Sequence, residues 1–197
     1  VLENVQIPVV AAGGFRDGFG LAASLAWGAS GIAMGTRFMM TQESPVPAKT
    51  KEAYISAGVE DIKVTKKFDG LPHRLIFNDY IQKIDRSNPF SLFVMSVTSA
   101  WKYKQLTKAS YGDLMRSFFA MLKGDDLTIS QSIMSANSPA IIQKAMVEGS
   151  PNEGAMPSGQ VAGILTNLPT CNELIQQIMR EFNVAATNFK KIEGEKS

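Results

Sequence analysis

The chain of 197 residues contains few of the residues that most often mark a catalytic or metal site. It has one cysteine, Cys171, and one histidine, His73. A single cysteine excludes an internal disulfide framework and is typical of a reducing compartment, so we expect a cytoplasmic protein. We interpret Cys171 as a packing residue and predict no metal site.

The chain also lacks a strong excess of charge and a long apolar run. It has 20 Lys and Arg residues against 18 Asp and Glu residues, a net charge of +2, and the two signs are interspersed. Nucleic-acid binders carry concentrated basic stripes, so we expect no nucleic-acid partner. No apolar run approaches the ~18 residues of a membrane helix, so we expect no membrane partner. The basic run at 63–67 is interpreted as a solvated strand or loop face.

The first 40 residues carry the clearest structural pattern. Residues 7–12 form a short apolar run, which is typical of a strand buried on both faces. A helix capped by Asp17 or Gly18 is predicted to run to Trp27. A second apolar strand follows at 31–34. Strand, helix and strand in this order predict a βαβ unit whose two strands are parallel neighbours.

Both predicted strands end in glycine. Gly13 and Gly14 follow the first strand, and Gly35 and Thr36 follow the second. Because glycine has no Cβ, an anion can approach the backbone N–H groups there, and the Thr36 hydroxyl offers one more donor. In (β/α)8 barrels, this arrangement after strands 7 and 8 commonly holds a phosphate. Tight turns without a ligand are the alternative, and the spacing alone does not separate the two.

The remainder of the chain reads as mostly helical up to about Gly149. Residues 90–100 fit either a strand or a helix, and both stay open. Thr170 and Glu173 form a capping box that begins the last helix. Earlier helices, each bounded by proline, serine or glycine, are predicted at 47–57, at 110–123 and from Ser138 and Pro139 to Gly149. The predicted domains are a βαβ unit at 1–40, a mostly helical insert at 41–150, and a closing loop with the last helix at 151–197.

The stretch "IPVVAAGGFRDGFGLAASLAWGASGIAMGTRF", from Ile7 to Phe38, closely resembles the C-terminal barrel segment of the nitronate monooxygenases, formerly called 2-nitropropane dioxygenases. The segments A-A-G-G, D-G and M-G-T-R-F match the family pattern, whereas Phe19 and Trp27 replace the usual Arg and Leu. Three later segments resemble the family more thinly: "PVPAKTKEAY", "GLPHRLIFNDY" and "MPSGQVAGILTNLPTCNELIQQIM". Type II enoyl-acyl-carrier-protein reductases share much of this pattern.

This resemblance implies an α/β fold, namely the C-terminal part of a TIM (β/α)8 barrel with a mostly helical inserted subdomain. It also implies FMN, bound without a covalent link, and oxidation of alkyl nitronates such as propionate 3-nitronate with O2. In the family, the phosphate of FMN lies on the backbone of the second glycine of A-G-G and of the x-M-G-T segment. Carried over by position, the cofactor-binding residues are Gly13, Gly14, Ala33, Met34, Gly35 and Thr36. Family members often have Gln or Asn at Ala33, and a backbone contact survives that change.

The catalytic histidine of the family lies in a G-G-H segment upstream of the A-A-G-G strand, and this chain begins only a few residues before that strand. We therefore expect a C-terminal part of a longer polypeptide, or a truncated gene product, that needs the N-terminal barrel half and is inactive alone. His73 has no recognisable carboxylate partner in the sequence and is interpreted as a structural or surface residue. Two alternatives are a fragment of an FMN-dependent NAD(P)H enoyl reductase and a non-catalytic product that binds phosphate or flavin.

Other polar residues near these motifs receive narrower interpretations. Asp17 is interpreted as a helix cap and not as an acid or base. For Arg37, pairing with a carboxylate and a position near the ligand are equally supported. The loop of Ser158, Gly159 and Gln160 is a candidate for contact with flavin or substrate, since loops often carry function.

Overall fold

The computed structural model describes residues 1–88, residue 91 and residues 129–194. The helix predicted at 110–123 lies outside the described residues, as does the undecided stretch 90–100 except for residue 91. The chain forms two compact units, Val1–Pro45 with Gly159–Ser197, and Val46–Ser158. The sequence-based division at residues 40 and 150 stays a prediction.

The regular elements of the described residues are short strands and helices of four to 24 residues. In chain order they are β1 Val10–Ala12, α1 Gly18–Ala26, β2 Gly31–Ala33, α2 Thr36–Met39, α3 Ala48–Ser56, β3 Ile62–Thr65, β4 His73–Ile76, α4 Asp79–Arg86, α5 Ile129–Met146 and α6 Cys171–Gly194. Single 3-10 turns occur at Leu2–Asn4, Val59–Asp61, Pro151–Glu153 and Gln160–Ile164. None of the described helices is both long and apolar enough to cross a membrane.

The first unit contains the predicted βαβ arrangement. β1 and β2 are parallel, with Val10 opposite Gly31 and Ala12 opposite Ala33. α1 connects the two strands, as the sequence predicted. This unit is consistent with part of a parallel barrel, in which each strand is followed by a helix.

The ends of α1 follow directly from local residues. The Asp17 carboxylate accepts a hydrogen bond from the Gly20 N–H at 2.9 Å, so Asp17 is the helix cap, as predicted. Gly28 follows the helix with a φ of +97°, a conformation that favours glycine. At the other end, an ideal Cβ on Gly18 would lie 2.0 Å from the backbone oxygen of Ile178. α1 therefore packs against α6 so closely that only glycine fits at this position.

The prediction of a first strand buried on both faces is wrong for this chain. Ile7 is 71% exposed, Val10 is 56% exposed, and Trp27 at the end of α1 is 79% exposed. Among the described residues, β1 pairs with β2 alone, so no strand lies along its other edge. The apolar composition of β1 is nevertheless that of a parallel strand, which is normally covered on both faces.

The second unit contains a small two-stranded sheet beside its helices. β3 and β4 pair antiparallel, with Ile62 opposite Ile76 and Thr65 opposite His73. β3 exposes Lys63 and Val64, which agrees with the prediction of a solvated strand face at 63–67. α3, α4 and α5 complete this unit in the described residues. The buried core cluster consists of Phe68, Leu75, Ile81, Ile84, Ile141 and Ala155.

One predicted helix start is wrong and two others are confirmed. α5 begins at Ile129, so Pro139 lies inside the helix, and Ser138 does not begin it. The Ser138 hydroxyl donates to the Asp69 carboxylate at 3.3 Å instead of capping a helix. α3 agrees with the helix predicted at 47–57. At the start of α6, the Glu173 carboxylate accepts from the Thr170 N–H at 2.8 Å, and the Glu173 N–H donates to the Thr170 hydroxyl at 3.1 Å, which completes the predicted capping box.

Candidate functional site

The two predicted phosphate loops leave the same edge of the parallel pair. Ala12 and Ala33 are the last paired residues of β1 and β2, and they face each other in the register. Gly13 follows Ala12, and Met34 follows Ala33. Ligand sites of parallel sheets lie at the carboxyl ends of the strands, which is this edge.

The first loop consists of two consecutive glycines in the left-handed region. Gly13 has a φ of +95° and Gly14 a φ of +81°, values that residues with side chains rarely adopt. An ideal Cβ on either glycine meets nothing within 4 Å, and both glycines are exposed. Among the described residues, no group accepts a hydrogen bond from the Gly14 N–H. This loop presents an open surface with a free backbone donor.

The second loop begins α2 and also presents free backbone donors. Ala33 ends β2 with an exposed side chain, and Gly35 is the N-cap residue of α2, with no side chain to satisfy the first turn. An ideal Cβ on Gly35 meets nothing within 4 Å. The Met39 N–H is the first in this helix to bond back, to the Gly35 carbonyl. Within the described part of the chain, the N–H groups of the first turn before Met39 therefore have no backbone partner.

Thr36 is held by a residue that lies far away in the sequence. The Gly159 N–H donates to Thr36 Oγ1 at 2.7 Å. Since the hydroxyl oxygen accepts this bond, its own hydrogen remains to donate to a ligand. An ideal Cβ on Gly159 would lie 2.8 Å from Thr36 Oγ1, so this approach requires glycine. The sequence singled out the loop at Gly159 but did not predict its contact with Thr36.

Arg37 does not pair with a carboxylate in the described residues, and its position near a ligand stays a prediction. The residue is 4% exposed, and its guanidinium donates to Asn167, from Nη2 to Oδ1 at 2.9 Å and from Nη1 to the backbone oxygen at 3.4 Å. No carboxylate of the described residues lies within 4.0 Å of it. Burial lowers the pKa of Arg37, and the nearby positive charge of Arg16 lowers that pKa further, whereas Glu181 raises it.

The expectation that His73 has no carboxylate partner is wrong. His73 Nε2 lies 2.8 Å from Oδ2 of Asp69, four residues earlier, and the Asp69 side chain is almost fully buried. Asp69 also accepts hydrogen bonds from the Leu71 N–H and the Ser138 hydroxyl. These contacts fix the turn between β3 and β4, which supports the structural interpretation of His73. In the described part of the chain, no cluster of three His, Cys, Asp or Glu residues could hold a metal ion.

Comparison with known proteins places most of the chain in one family. The family model described as nitronate monooxygenase matches residues 1–181. A relative from Rhodococcus jostii strain RHA1, named (3aS,4S,5R,7aS)-5-hydroxy-7a-methyl-1-oxo-octahydro-1H-indene-4-carboxyl-CoA dehydrogenase, is 45% identical over 181 residues, 92% of this chain and 51% of the relative. A protein of the same name from Mycobacterium tuberculosis H37Rv is 42% identical over 90% of this chain and 50% of the relative. A probable nitronate monooxygenase from Staphylococcus aureus strain JH9 is 40% identical over 86 residues, 44% of this chain and 24% of the relative.

Two solved structures share the fold of this chain. FabK from Thermotoga maritima superposes with a TM-score of 0.63 and 26% identity, over 96% of this chain and 49% of that protein. A nitroalkane oxidase from Streptomyces ansochromogenes superposes with a TM-score of 0.60 and 25% identity, over 95% of this chain and 42% of that protein. Both are TIM-barrel enzymes, and this chain spans about half the length of the two CoA dehydrogenases to which it is similar. The chain therefore belongs to the nitronate monooxygenase family, whose members are flavin-dependent oxidoreductases.

Proposed function

We propose that the loops after β1 and β2 hold the phosphate of FMN in a flavin-dependent oxidoreductase. The observation that carries this proposal is the pair of open glycine loops, with free backbone N–H groups, at one edge of a parallel strand pair. Backbone donors without side chains suit a phosphate dianion, which needs several hydrogen bonds at close range. The proposed binding residues are Gly13, Gly14, Ala33, Met34, Gly35 and Thr36.

Each loop contributes differently to this site. Gly14 and Gly35 leave room for the phosphate and donate from the backbone, because neither has a neighbour within 4 Å of a built Cβ. The Thr36 hydroxyl donates its hydrogen, since its oxygen already accepts from Gly159. Ala33 contributes only main-chain atoms, so the Gln or Asn that other family members carry there is compatible with the same contact. When bound, flavin supplies two-electron transfer, and these residues hold its phosphate end in place.

We propose the dehydrogenation of a hydroxylated CoA thioester as the first candidate reaction. The two relatives named as dehydrogenases of a hydroxylated indene carboxyl-CoA match at least 90% of this chain at 42% and 45% identity. Their similarity includes the second unit, which lies outside the barrel strands. In such a reaction, the alcohol carbon gives up a hydride and the hydroxyl oxygen gives up a proton, which leaves a carbonyl group, and a bound flavin would supply the two-electron acceptor.

The oxidation of alkyl nitronates with O2 is the second candidate reaction. It is supported by the family model and by the relatives from Staphylococcus aureus, whose similarity covers 44% of this chain. Most of the substrate contacts of either reaction come from residues other than the phosphate loops. We therefore infer the flavin site from the geometry and the substrate class from the relatives.

The test begins with the flavin that copurifies with the full-length protein. Released flavin is identified by chromatography, and we expect FMN at a ratio close to one per chain; FAD, or no flavin after reconstitution, would contradict the proposal. The loaded protein is then mixed anaerobically with a hydroxyacyl-CoA, propionate 3-nitronate or NADH. Bleaching of the flavin by the thioester alone supports the dehydrogenase, and bleaching by the nitronate supports the second candidate. Bleaching by NADH followed by reoxidation with an enoyl thioester identifies an enoyl reductase, and no bleaching at all identifies a non-catalytic binder.

A further inference from the structure

A polar pocket of about 200 Å³ lies in the first unit, beside the start of α1 and along α6. It is formed by the two residues that precede α1, by Arg37 of α2, by the segment 164–167 and by one face of α6. The residues of the two glycine loops do not line it. The polar residues that line the pocket are Arg16, Asp17, Arg37, Asn167, Gln177 and Glu181.

Arg37 brings a buried positive charge to this pocket. Arg37 as a residue is 4% exposed, and a buried positive charge is costly unless an anion pairs with it. Asn167 accepts from Nη1 and Nη2 through neutral oxygens only. A guanidinium has five N–H donors, so at least two remain beyond these bonds. In the described part of the chain, no carboxylate lies within ion-pair distance to neutralise this charge.

The two carboxylates of the pocket are engaged elsewhere. Asp17 accepts from the Gly20 N–H at 2.9 Å and from Arg16 Nε at 3.2 Å. Glu181 accepts from the Gly18 N–H at 2.9 Å and from the Gln177 side chain at 2.7 Å. Both carboxylates therefore satisfy the first N–H groups of α1, where the helix dipole places partial positive charge.

Arg16 adds a second positive charge at the mouth of the pocket. Its side chain is 45% exposed, and its contacts to Asp17 at 3.2 Å and to the Ile164 carbonyl at 3.5 Å are weak ones at a solvated position. Because the Arg16 charge also repels that of Arg37, an anion between the two guanidinium groups would relieve both. The charged side chains of the pocket sum to zero, but its two carboxylates are already held by N–H groups of α1, so the remaining guanidinium donors of Arg16 and Arg37 are the groups left for an anion.

We propose that this pocket binds a phosphate group, with Arg37 at its base and Arg16 closing over its mouth. Planar guanidinium groups match phosphate oxygens in pairs, and two arginines line this pocket. The volume exceeds that of one phosphate and leaves room for the first atoms of a larger molecule. The ligand is therefore free phosphate or a phosphomonoester end, such as that of coenzyme A. This site is separate from the flavin phosphate site and does not depend on the proposed reaction.

The test titrates the full-length protein, saturated with FMN, with inorganic phosphate and with coenzyme A in phosphate-free buffer. Calorimetry compares the protein with Arg16→Gln, Arg37→Lys and the matched control Arg180→Gln. Arg180 is exposed on α6 next to Glu181 and outside the pocket lining, so its replacement changes net charge equally. We expect Arg16→Gln and Arg37→Lys to raise the Kd for the probe about tenfold or more, because each removes one charge-assisted hydrogen bond. We expect Arg180→Gln to change that Kd by no more than about twofold.

The outcomes separate the possibilities. Phosphate binding that is weakened by Arg16→Gln supports the site, and competition between phosphate and coenzyme A at that same site assigns the phosphomonoester as its ligand. No saturable binding of either probe, or equal losses in Arg16→Gln and Arg180→Gln, overturns the proposal. Arg16 is exposed, so this variant remains informative even where Arg37→Lys fails to fold. In FMN-free protein, phosphate could instead bind at the glycine loops. If Gly35→Val removed the phosphate binding and Arg16→Gln did not, the proposed pocket site would be overturned, whereas the proposed flavin site would stand.

Discussion

Replacing Gly35 with valine separates flavin binding from folding. Gly35 has φ −82° and ψ −73°, a backbone conformation open to any residue, and a built Cβ meets nothing within 4 Å. The main cost to the fold is the poorer N-cap preference of valine, about 1 kcal/mol. In contrast, the same change at Gly14 would add strain, because its φ is +81°. Gly35→Val is therefore the cleaner perturbation of the proposed phosphate site.

The expected loss follows from the hydrogen bonds that the valine side chain would block. Each charge-assisted bond from a backbone N–H to a phosphate oxygen contributes about 1.5–3 kcal/mol. The loss of one such bond raises the Kd for FMN by about tenfold to a hundredfold. Since the isopropyl group would occupy the space in front of both Gly35 and Thr36, we expect at least the lower figure.

The assay measures quenching of flavin fluorescence in variants of the full-length protein. Gly31→Val is the matched control, because Gly31 lies on β2, four residues before Gly35, has nothing within 4 Å of a built Cβ, and occupies a β position that valine favours. We expect Gly31→Val to retain FMN and Gly35→Val to lose it, whereas both bind riboflavin, which has no phosphate, with similar affinity. An unchanged Kd for FMN in Gly35→Val would refute the reasoning. An equal loss in Gly31→Val would show that the effect acts through the fold.

Three further predictions concern other contacts. Gly159→Ala and Thr36→Val should both raise the Kd for FMN in the same titration, because the new Cβ of Gly159→Ala would lie 2.8 Å from the Thr36 hydroxyl. An unchanged Kd in both variants would exclude a role for this hydroxyl. Gly18→Ala should lower the free energy of unfolding by about 1–3 kcal/mol or more, because its Cβ would lie 2.0 Å from a backbone oxygen of α6. The added Cβ of Gly20→Ala instead meets the edge of a movable ring, so this variant should lose less stability in the same thermal melts. The capping hydrogen bonds lower the pKa of Glu173, so the stabilisation by this carboxylate is present above the ordinary glutamate pKa and is lost as pH falls through the lowered pKa. The difference in unfolding free energy between wild type and Glu173→Ala should therefore shrink on acidification. A difference that stays constant with pH would contradict this.

The features predicted correctly from sequence are those set by neighbours a few residues apart. The Asp17 cap depends on a bond to Gly20, three residues later, and the start of α6 depends on Thr170 and Glu173 at the same spacing. The parallel pairing of β1 and β2 also follows from a local strand–helix–strand order. Such signals lie within one stretch of chain, so a single sequence displays them.

The features that sequence analysis missed are set by contacts between distant residues. The Gly159 N–H reaches Thr36 across 123 positions, and the bond of Arg37 to Asn167 spans 130. Likewise, Ser138 was interpreted as a cap because the following residue is a proline, but its hydroxyl bonds to Asp69, 69 positions earlier. A serine before a proline has the same local pattern in both situations. Only the tertiary fold decides which partner the hydroxyl meets.

The proposed phosphate site, made of backbone N–H groups, would also explain why this part of the chain says little about the substrate. Its geometry depends on strand register and on the left-handed conformations of Gly13 and Gly14, and not on side-chain chemistry at positions such as Ala33. Relatives named for different activities, a CoA dehydrogenase and a probable nitronate monooxygenase, can therefore share these loops. The similarity to the CoA dehydrogenases extends over 92% of the chain, whereas that to the Staphylococcus aureus protein covers 44%. We therefore expect substrate choice to depend on residues that are matched in the CoA dehydrogenases but not in the Staphylococcus aureus protein. Exchanging those residues should change which substrate reacts, while the affinity for FMN stays constant.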